Sequence, residues 1–186
     1  AGPSGSRGSR PEAAPPPRTV PLAVKSWSLH VGGSFPDVPA SNTFYVFIDN
    51  RFHNGITGGL AGGGYCPTNS VTRAQMAVFL MKAKLGTHSA PPPATGTVFG
   101  DVPASNPFAA FIEQLAGFGV TGGCGSGNYC PGNPVTRAQM AVFLLKAKHG
   151  SAYTPPPCSG LFADFPCPSA FAAWLGQLSA EHLTGG

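Results

Sequence analysis

A ten-residue segment that occurs twice constrains this chain more than any other feature. Val71 to Leu80 reads Val-Thr-Arg-Ala-Gln-Met-Ala-Val-Phe-Leu, and the same ten residues return as Val135 to Leu144, 64 positions later. Identity at a fixed offset is the sequence signature of tandem structural units. We therefore expect the chain to repeat one supersecondary unit.

The repeated segment predicts the start of a helix. Thr72 is the expected N-cap, and Gln75 follows three residues later, which gives the Thr-x-x-Gln capping box. The apolar residues that follow recur at helical spacing, so one face of the helix is expected to be buried. Gly86 and Gly150 are expected to end the two copies.

A cation follows each predicted cap. Arg73 and Arg137 fall at the first helical position, where the helix dipole is positive and disfavours a cation. Two interpretations stay open. The arginine is solvated or forms a salt bridge with a neighbouring aspartate, or it binds an anion beside the outward-pointing helix amides.

The repeat extends to both sides of this segment. A Phe-x-Asp opening, an aromatic first helix and a turn ending in Thr-Gly-Gly precede each copy, with Asn42 and Asn106 as expected N-caps of the first helices. In unit one the first helix is expected from Thr43 to about His53. The units occupy residues 34–90 (unit one), 98–150 (unit two) and 158–186 (unit three). Unit three breaks off before its loop and second helix, as a truncated sequence would.

Composition narrows the class of protein. The 186 residues include 26 Gly and 21 Pro, and only 10% are charged, which favours short elements joined by long turns. Residues 1–33 are rich in Gly, Pro, Ser and Arg and are expected to be disordered. Most of the net charge of +4 lies in that segment, so no basic face predicts nucleic-acid binding. Without a run of 18 apolar residues, no transmembrane segment is expected.

Five cysteines predict two small disulfide loops and therefore an oxidising compartment. Cys66 corresponds to the second cysteine of the unit-two loop, but Leu60 stands where the first would be, so Cys66 is expected to be unpaired. No zinc-type spacing is present, and no metal site is predicted. The candidate pairs are Cys124 with Cys130 and Cys158 with Cys167.

No catalytic motif accompanies the repeats. The chain has no Gly-x-Ser-x-Gly elbow, no His-Glu-x-x-His and no phosphate-binding loop. We therefore expect a protein that is not an enzyme and that needs no cofactor.

The order of these motifs, from Phe-x-Asp through Thr-Gly-Gly and Tyr-Cys-Pro to Val-Thr-Arg-Ala-Gln, resembles the S-layer homology domain over residues 34–186. The resemblance implies an all-α fold of helix–loop–helix units in a pseudo-threefold arrangement, here with an incomplete third unit. It also implies attachment of an extracellular protein to cell-wall or envelope polysaccharide, often anionic, through grooves between adjacent units. The oligomeric state is not predicted.

The same resemblance implies candidate ligand-binding residues. Arg73 and Arg137 match the family's signature arginine. Tyr65 and Tyr129, beside the loops, are candidates for stacking on a sugar ring, with packing under the loop as the alternative. The remaining candidates are the opening aspartates and the turn glycines, Asp37, Asp101, Gly58, Gly59, Gly122 and Gly123.

A second interpretation of the function follows from the positions at which this sequence differs from the family's motif. Gln75 and Gln139 replace the signature glutamate, which keeps the capping box but removes a charge. A cysteine-bearing loop is a further difference. The alternative function is a structural or protein-interaction module of a secreted protein that has lost glycan binding. For the opening aspartates, a structural role as a helix cap or as a salt-bridge partner of an arginine is favoured over ligand contact.

Overall fold

A computed structural model describes residues 33–184 of the chain. Almost all of the segment expected to be disordered, and the final Gly185-Gly186, lie outside the described residues. Within residues 33–184 every regular element is a helix, which confirms the all-α expectation for this part of the chain. The helices are α1 (Tyr45–His53), α2 (Arg73–Leu85), α3 (Ala109–Gly117), α4 (Arg137–His149) and α5 (Ala172–Ala180).

The second helices begin and end as the sequence predicts. In α2 the Gln75 amide donates to Thr72 Oγ1 at 3.3 Å, and the Thr72 amide donates to Gln75 Oε1 at 3.0 Å. The same capping box is present at the start of α4. Gly86 and Gly150 follow the last helical residues with φ of 87° and 100°, a region that favours glycine.

The first helices begin later than predicted. We expected the first helix to start at Thr43, but α1 begins at Tyr45. The reason is that Asn42 forms a local turn, in which its Oδ1 accepts from the Phe44 amide at 2.8 Å. Asn106 does the same for the Phe108 amide at 2.9 Å before α3.

Each second helix packs against the first helix of the next unit. Helix α2 contacts α3, helix α4 contacts α5, and α2 also contacts α4. The main core lies between α2, α3 and the loop of unit two, and includes Met81, Ile112 and Leu115. The units are therefore joined in chain order through one recurring helix–helix contact.

Helix α1 lacks such a cover among the described residues. Phe44, Val46 and Phe47 are 61%, 63% and 65% exposed. At the corresponding positions of α3, Phe108 and Phe111 are partly buried against the main core. Unit one instead has a small cluster of its own, built on Phe35, Val38 and Ile48.

Candidate functional site

The start of α2 is docked into the loop of unit two, which we define as residues 121–134. The amides of Arg73 and Ala74 donate to the carbonyls of Asn133 at 2.9 Å and Pro131 at 3.0 Å. These are amides that a helix start leaves without a partner inside the helix. Backbone of the next unit therefore occupies the helix end at which the sequence suggested an anion.

The Arg73 side chain enters the same loop. It is only 5% exposed, and its Nε donates to the Tyr129 carbonyl at 2.7 Å while Nη2 donates to the Gly123 carbonyl at 3.1 Å. Its Cζ lies 4.8 Å from the Tyr129 ring centroid and 5.4 Å from that of Phe143. Among residues 33–184 no carboxylate pairs with it. Carbonyl dipoles and ring faces therefore stabilise the buried charge directly, and the Asp101 carboxylate attracts it from a longer distance.

Tyr129 completes this contact from the other side. Its ring is fully buried, and its hydroxyl donates to the Arg73 carbonyl at 2.8 Å. Burial raises the pKa of Tyr129 to about 12, against the opposing effect of the Arg73 charge. The packing alternative therefore describes Tyr129, whose ring faces protein rather than solvent.

The opening aspartates hold the loops of their own units. Asp101 accepts from the amides of Tyr129 and Cys130, each at 2.7 Å. Burial alone would raise the pKa of Asp101, but hydrogen bonds from these amides and its own backbone, together with the Arg73 charge, outweigh burial and lower the pKa. Asp37 accepts in the same way from the Tyr65 amide and from the amide of the residue that follows it. These hydrogen bonds lower the pKa of Asp37. Each carboxylate therefore holds the loop of its own unit in place by accepting from two loop amides.

The turn glycines divide into two kinds. Gly59 and Gly123 have φ of 74° and 92°, and a Cβ on Gly123 would lie 2.3 Å from the Asn128 carbonyl oxygen. These two positions require glycine. Gly58 and Gly122 have open space around them, so packing does not demand glycine there.

Both predicted disulfides are formed. Cys124 is bonded to Cys130, and Cys158 to Cys167. Cys66 is free and partly exposed, as the leucine at position 60 predicts. No group of residues suited to hold a metal ion occurs in the described part of the chain.

The first candidate site is a cavity of about 610 Å³ between the unit-one loop and α2, with Phe108 of unit two on its wall. Its volume is in the range of small-molecule sites. Lys82 is the cation in its lining. The other polar or candidate residues that line it are Thr57, Gly58, Gly59, Tyr65, Asn69, Ser70, Thr72 and Gln75.

A second cavity, of about 440 Å³, lies at the start of α4. Arg137 is exposed and lines it together with Thr136 and Asp164, and the remaining wall is mainly aromatic and aliphatic. The structure thus separates the predicted residues. Gly58, Gly59 and Tyr65 line the first cavity, Arg137 lines the second, and Arg73, Gly123 and Tyr129 form the junction between units one and two.

Sequence reasoning missed two features of this arrangement. The acceptors of Arg73 lie 50 and 56 residues further along the chain, and nothing within one unit points to them. Lys82 and Asn69 were also missed as cavity residues. The sequence signal for Lys82 was its place in the last turn of α2, which the helix dipole already explains.

Comparisons with known proteins agree with the repeated motifs. Residues 98–141, which run from the opening of unit two into α4, match the S-layer homology domain, so the expected resemblance is confirmed for this stretch. An endoglucanase of Bacillus sp. (strain KSM-635) is 27% identical over 130 residues, which are 69% of this chain and 13% of that protein. The matched region is therefore about an eighth of that enzyme's length.

Proposed function

We propose that this chain is a non-catalytic module that anchors a protein at the cell surface by binding cell-wall or envelope polysaccharide. The match of residues 98–141 to the S-layer homology domain supports anchoring. The observation that carries the proposal is the 610 Å³ cavity beside α2, because it collects three residues expected to bind a glycan, Gly58, Gly59 and Tyr65. The compartment that we propose is extracellular.

The lining of this cavity suits an anionic sugar. Hydroxyl and amide side chains such as Thr57, Asn69 and Ser70 match the many hydroxyl groups of a glycan. Tyr65 is partly exposed and can stack on a sugar ring. Lys82, whose Nζ lies 3.4 Å from the Gly55 carbonyl, supplies the positive charge.

The two signature arginines take different roles in this proposal. Arg73 is buried, so it shapes the groove by holding unit two against unit one. Arg137 is exposed in the second cavity and is the arginine that can meet an anion directly. Asp37, Asp101, Gly122 and Gly123 act through the shape of the loops.

The proposed architecture is the pseudo-threefold one. Helices α2 and α4 each cover the next first helix, and α1 presents the corresponding apolar face uncovered by any described helix. A further helix of the α2 type on α1 would close the arrangement.

The endoglucanase match does not make this chain an enzyme. The aligned segment is 13% of that protein, and the name describes the whole of it. We propose that the shared region is a module of the non-catalytic kind.

None of the helices within residues 33–184 has the length and hydrophobicity needed to cross a bilayer.

Sedimentation with purified cell-wall polysaccharide tests the proposal. Lys82→Gln should weaken retention about two- to fivefold, since it removes one charge contact of a partly exposed lysine. Lys146→Gln is the matched control, because Lys146 occupies the same position of α4 outside the first cavity. Arg137→Gln tests the second cavity in the same assay. If wild type is not retained, or if Lys82→Gln and Lys146→Gln behave alike, the proposed site is wrong.

The alternative is a structural or protein-interaction module that has lost glycan binding. One observation favours it: the amides at the start of α2 and the Arg73 guanidinium already bind carbonyls of unit two. This helix end is therefore unavailable to a sugar. Capture of a defined protein by a chain that no polysaccharide retains would support the alternative.

A further inference from the structure

The loops of units one and two share a backbone conformation but not a covalent closure. The Leu60 amide donates to the Gly64 carbonyl at 2.7 Å, and the Cys124 amide donates to the Asn128 carbonyl at the same distance. The cysteine that ends each loop has φ of 58° in both units. Because unit one has Leu60 where unit two has Cys124, the loop reaches this conformation without a disulfide.

The two loops differ in what they hold. In unit two, the carbonyls of Gly123 and Tyr129 accept from the Arg73 guanidinium. Each acceptor belongs to the residue immediately before a bridged cysteine. Among the described residues, no guanidinium binds the corresponding carbonyls of unit one. The bridged loop is therefore the one that binds an arginine of another unit.

We infer that the Cys124–Cys130 disulfide is a clamp on the junction between units one and two, which positions the two carbonyls that bury Arg73. The bridge closes a segment of Gly125, Ser126 and Gly127, all with positive φ. Glycine-rich backbone of this kind has high conformational freedom. Without the bridge the loop can still adopt this conformation, as it does in unit one, but the two carbonyls are no longer held covalently at a fixed separation, so the contact with Arg73 is expected to weaken.

The clamp makes the junction sensitive to redox conditions. Cys124 is exposed, so a dithiol reductant can reach it. In that exchange the reductant is oxidised to a disulfide, and Cys124 and Cys130 become two thiols. Reduction is expected to loosen unit one from unit two while each loop keeps its own hydrogen bonds.

Amide hydrogen exchange measured by NMR tests the clamp. Cys124→Leu reproduces the arrangement of unit one. It should speed exchange of the Arg73 and Ala74 amides and of the Arg73 Nε–H by about tenfold or more. The Tyr129 amide, held by Asp101, and the Asn128 amide should keep their rates.

A matched control comes from the other disulfide. The double variant Cys158→Ser and Cys167→Ser should leave the Arg73 rates unchanged. Equal acceleration of the Tyr129 and Arg73 amides, or failure of Cys124→Leu to fold, would mean that the bridge folds its own loop, and the inference would be wrong. Unchanged Arg73 rates would also overturn it. No polysaccharide enters this experiment, so its outcome is independent of the proposed function.

Discussion

Arg73 and Arg137 stand at the same position of two helices that begin inside an identical ten-residue segment, yet their surroundings differ. Arg73 is buried and donates to two carbonyls of the next unit. Arg137 is exposed at the edge of a cavity, and no described residue accepts a hydrogen bond from it. Identical sequence produces the same cap and the same helix, whereas the role of the arginine depends on the unit that follows.

The same position of the repeat motif therefore has different surroundings in different units. Where a complete loop follows, the signature arginine is a structural link between units. Where the described chain offers no such loop, the same arginine lines an open site. Motif identity alone therefore does not decide whether an arginine binds ligand.

Replacing each arginine in turn gives the largest expected contrast. Arg73→Ala should lower the free energy of unfolding by about 3 kcal/mol, because it leaves two acceptors of the loop without their donor. Arg137→Ala should stay within about 0.5 kcal/mol of wild type. Urea denaturation of the three proteins measures this difference.

The Arg73→Lys variant sharpens the same test. A lysine retains the charge but lacks the planar fork that reaches both carbonyls, so it should recover only part of the loss. Equal stability of the Arg73→Ala and Arg137→Ala proteins would contradict the assignment of Arg73 as an inter-unit link.

The first helices offer a second contrast. Phe111 of α3 is partly buried against the main core, whereas the corresponding Phe47 of α1 is 65% exposed. Phe111→Ser should cost roughly 2 kcal/mol, and Phe47→Ser should cost little. Thermal unfolding followed by circular dichroism measures both. A large loss for Phe47→Ser would show that something covers α1 in solution.

Sequence alone predicted the parts of this fold that are local. Thr72 and Gln75 specify the capping box within four residues, and Leu60 in place of a cysteine predicted that Cys66 would be free. The start of α1 was predicted two residues early because an asparagine can form either a cap or a turn that precedes the helix.

The site was less predictable, for a physical reason. The contact that decides the role of Arg73 joins residues 50 and 56 positions apart, and it depends on how two units pack. Burial of Tyr129 follows from the same packing. A one-dimensional pattern identifies such residues as special but does not tell which carbonyl or ligand they meet.

The tyrosines of the two loops provide a smaller contrast. Tyr129→Phe removes the hydroxyl that donates to the Arg73 carbonyl and should cost about 1 kcal/mol at neutral pH. Tyr65→Phe is the matched control and should have almost no effect. Urea unfolding at pH 7 measures both, and equal losses would argue against a special role for the Tyr129 hydroxyl.

The same tyrosine should make stability depend on alkaline pH. Its pKa is raised to about 12 in the folded protein, against an ordinary value of 10.0. The stabilising contribution of neutral Tyr129 is therefore present below pH 10 and lost as the pH rises towards 12. The Tyr129→Phe protein should not show this loss of stability between pH 10 and pH 12. An unchanged alkaline profile would mean that burial does not control the ionisation of Tyr129.

The smallest expected effect concerns the far ends of the second helices. Lys84 lies 5.5 Å from the Phe118 ring, but its counterpart Lys148 pairs with Glu181 at 2.6 Å. Hydrogen bonds from Gln177, Lys148 and a neighbouring histidine hold the pKa of Glu181 at about 2, below its ordinary 4.5. The contribution of ionised Glu181 is present above pH 4.5 and is lost as the pH falls towards 2.

Comparison of wild type with Glu181→Gln isolates this contribution at the contact between α4 and α5. The stability difference between the two proteins should be constant above pH 5 and should shrink as the solution is acidified. Phe118 has no proton to titrate, so Phe118→Leu should shift stability by the same amount at every pH. Because its partner Lys148 is exposed, added salt should reduce the effect of this ion pair. Parallel acid-unfolding curves for wild type and Glu181→Gln would show that the carboxylate contributes nothing to this contact.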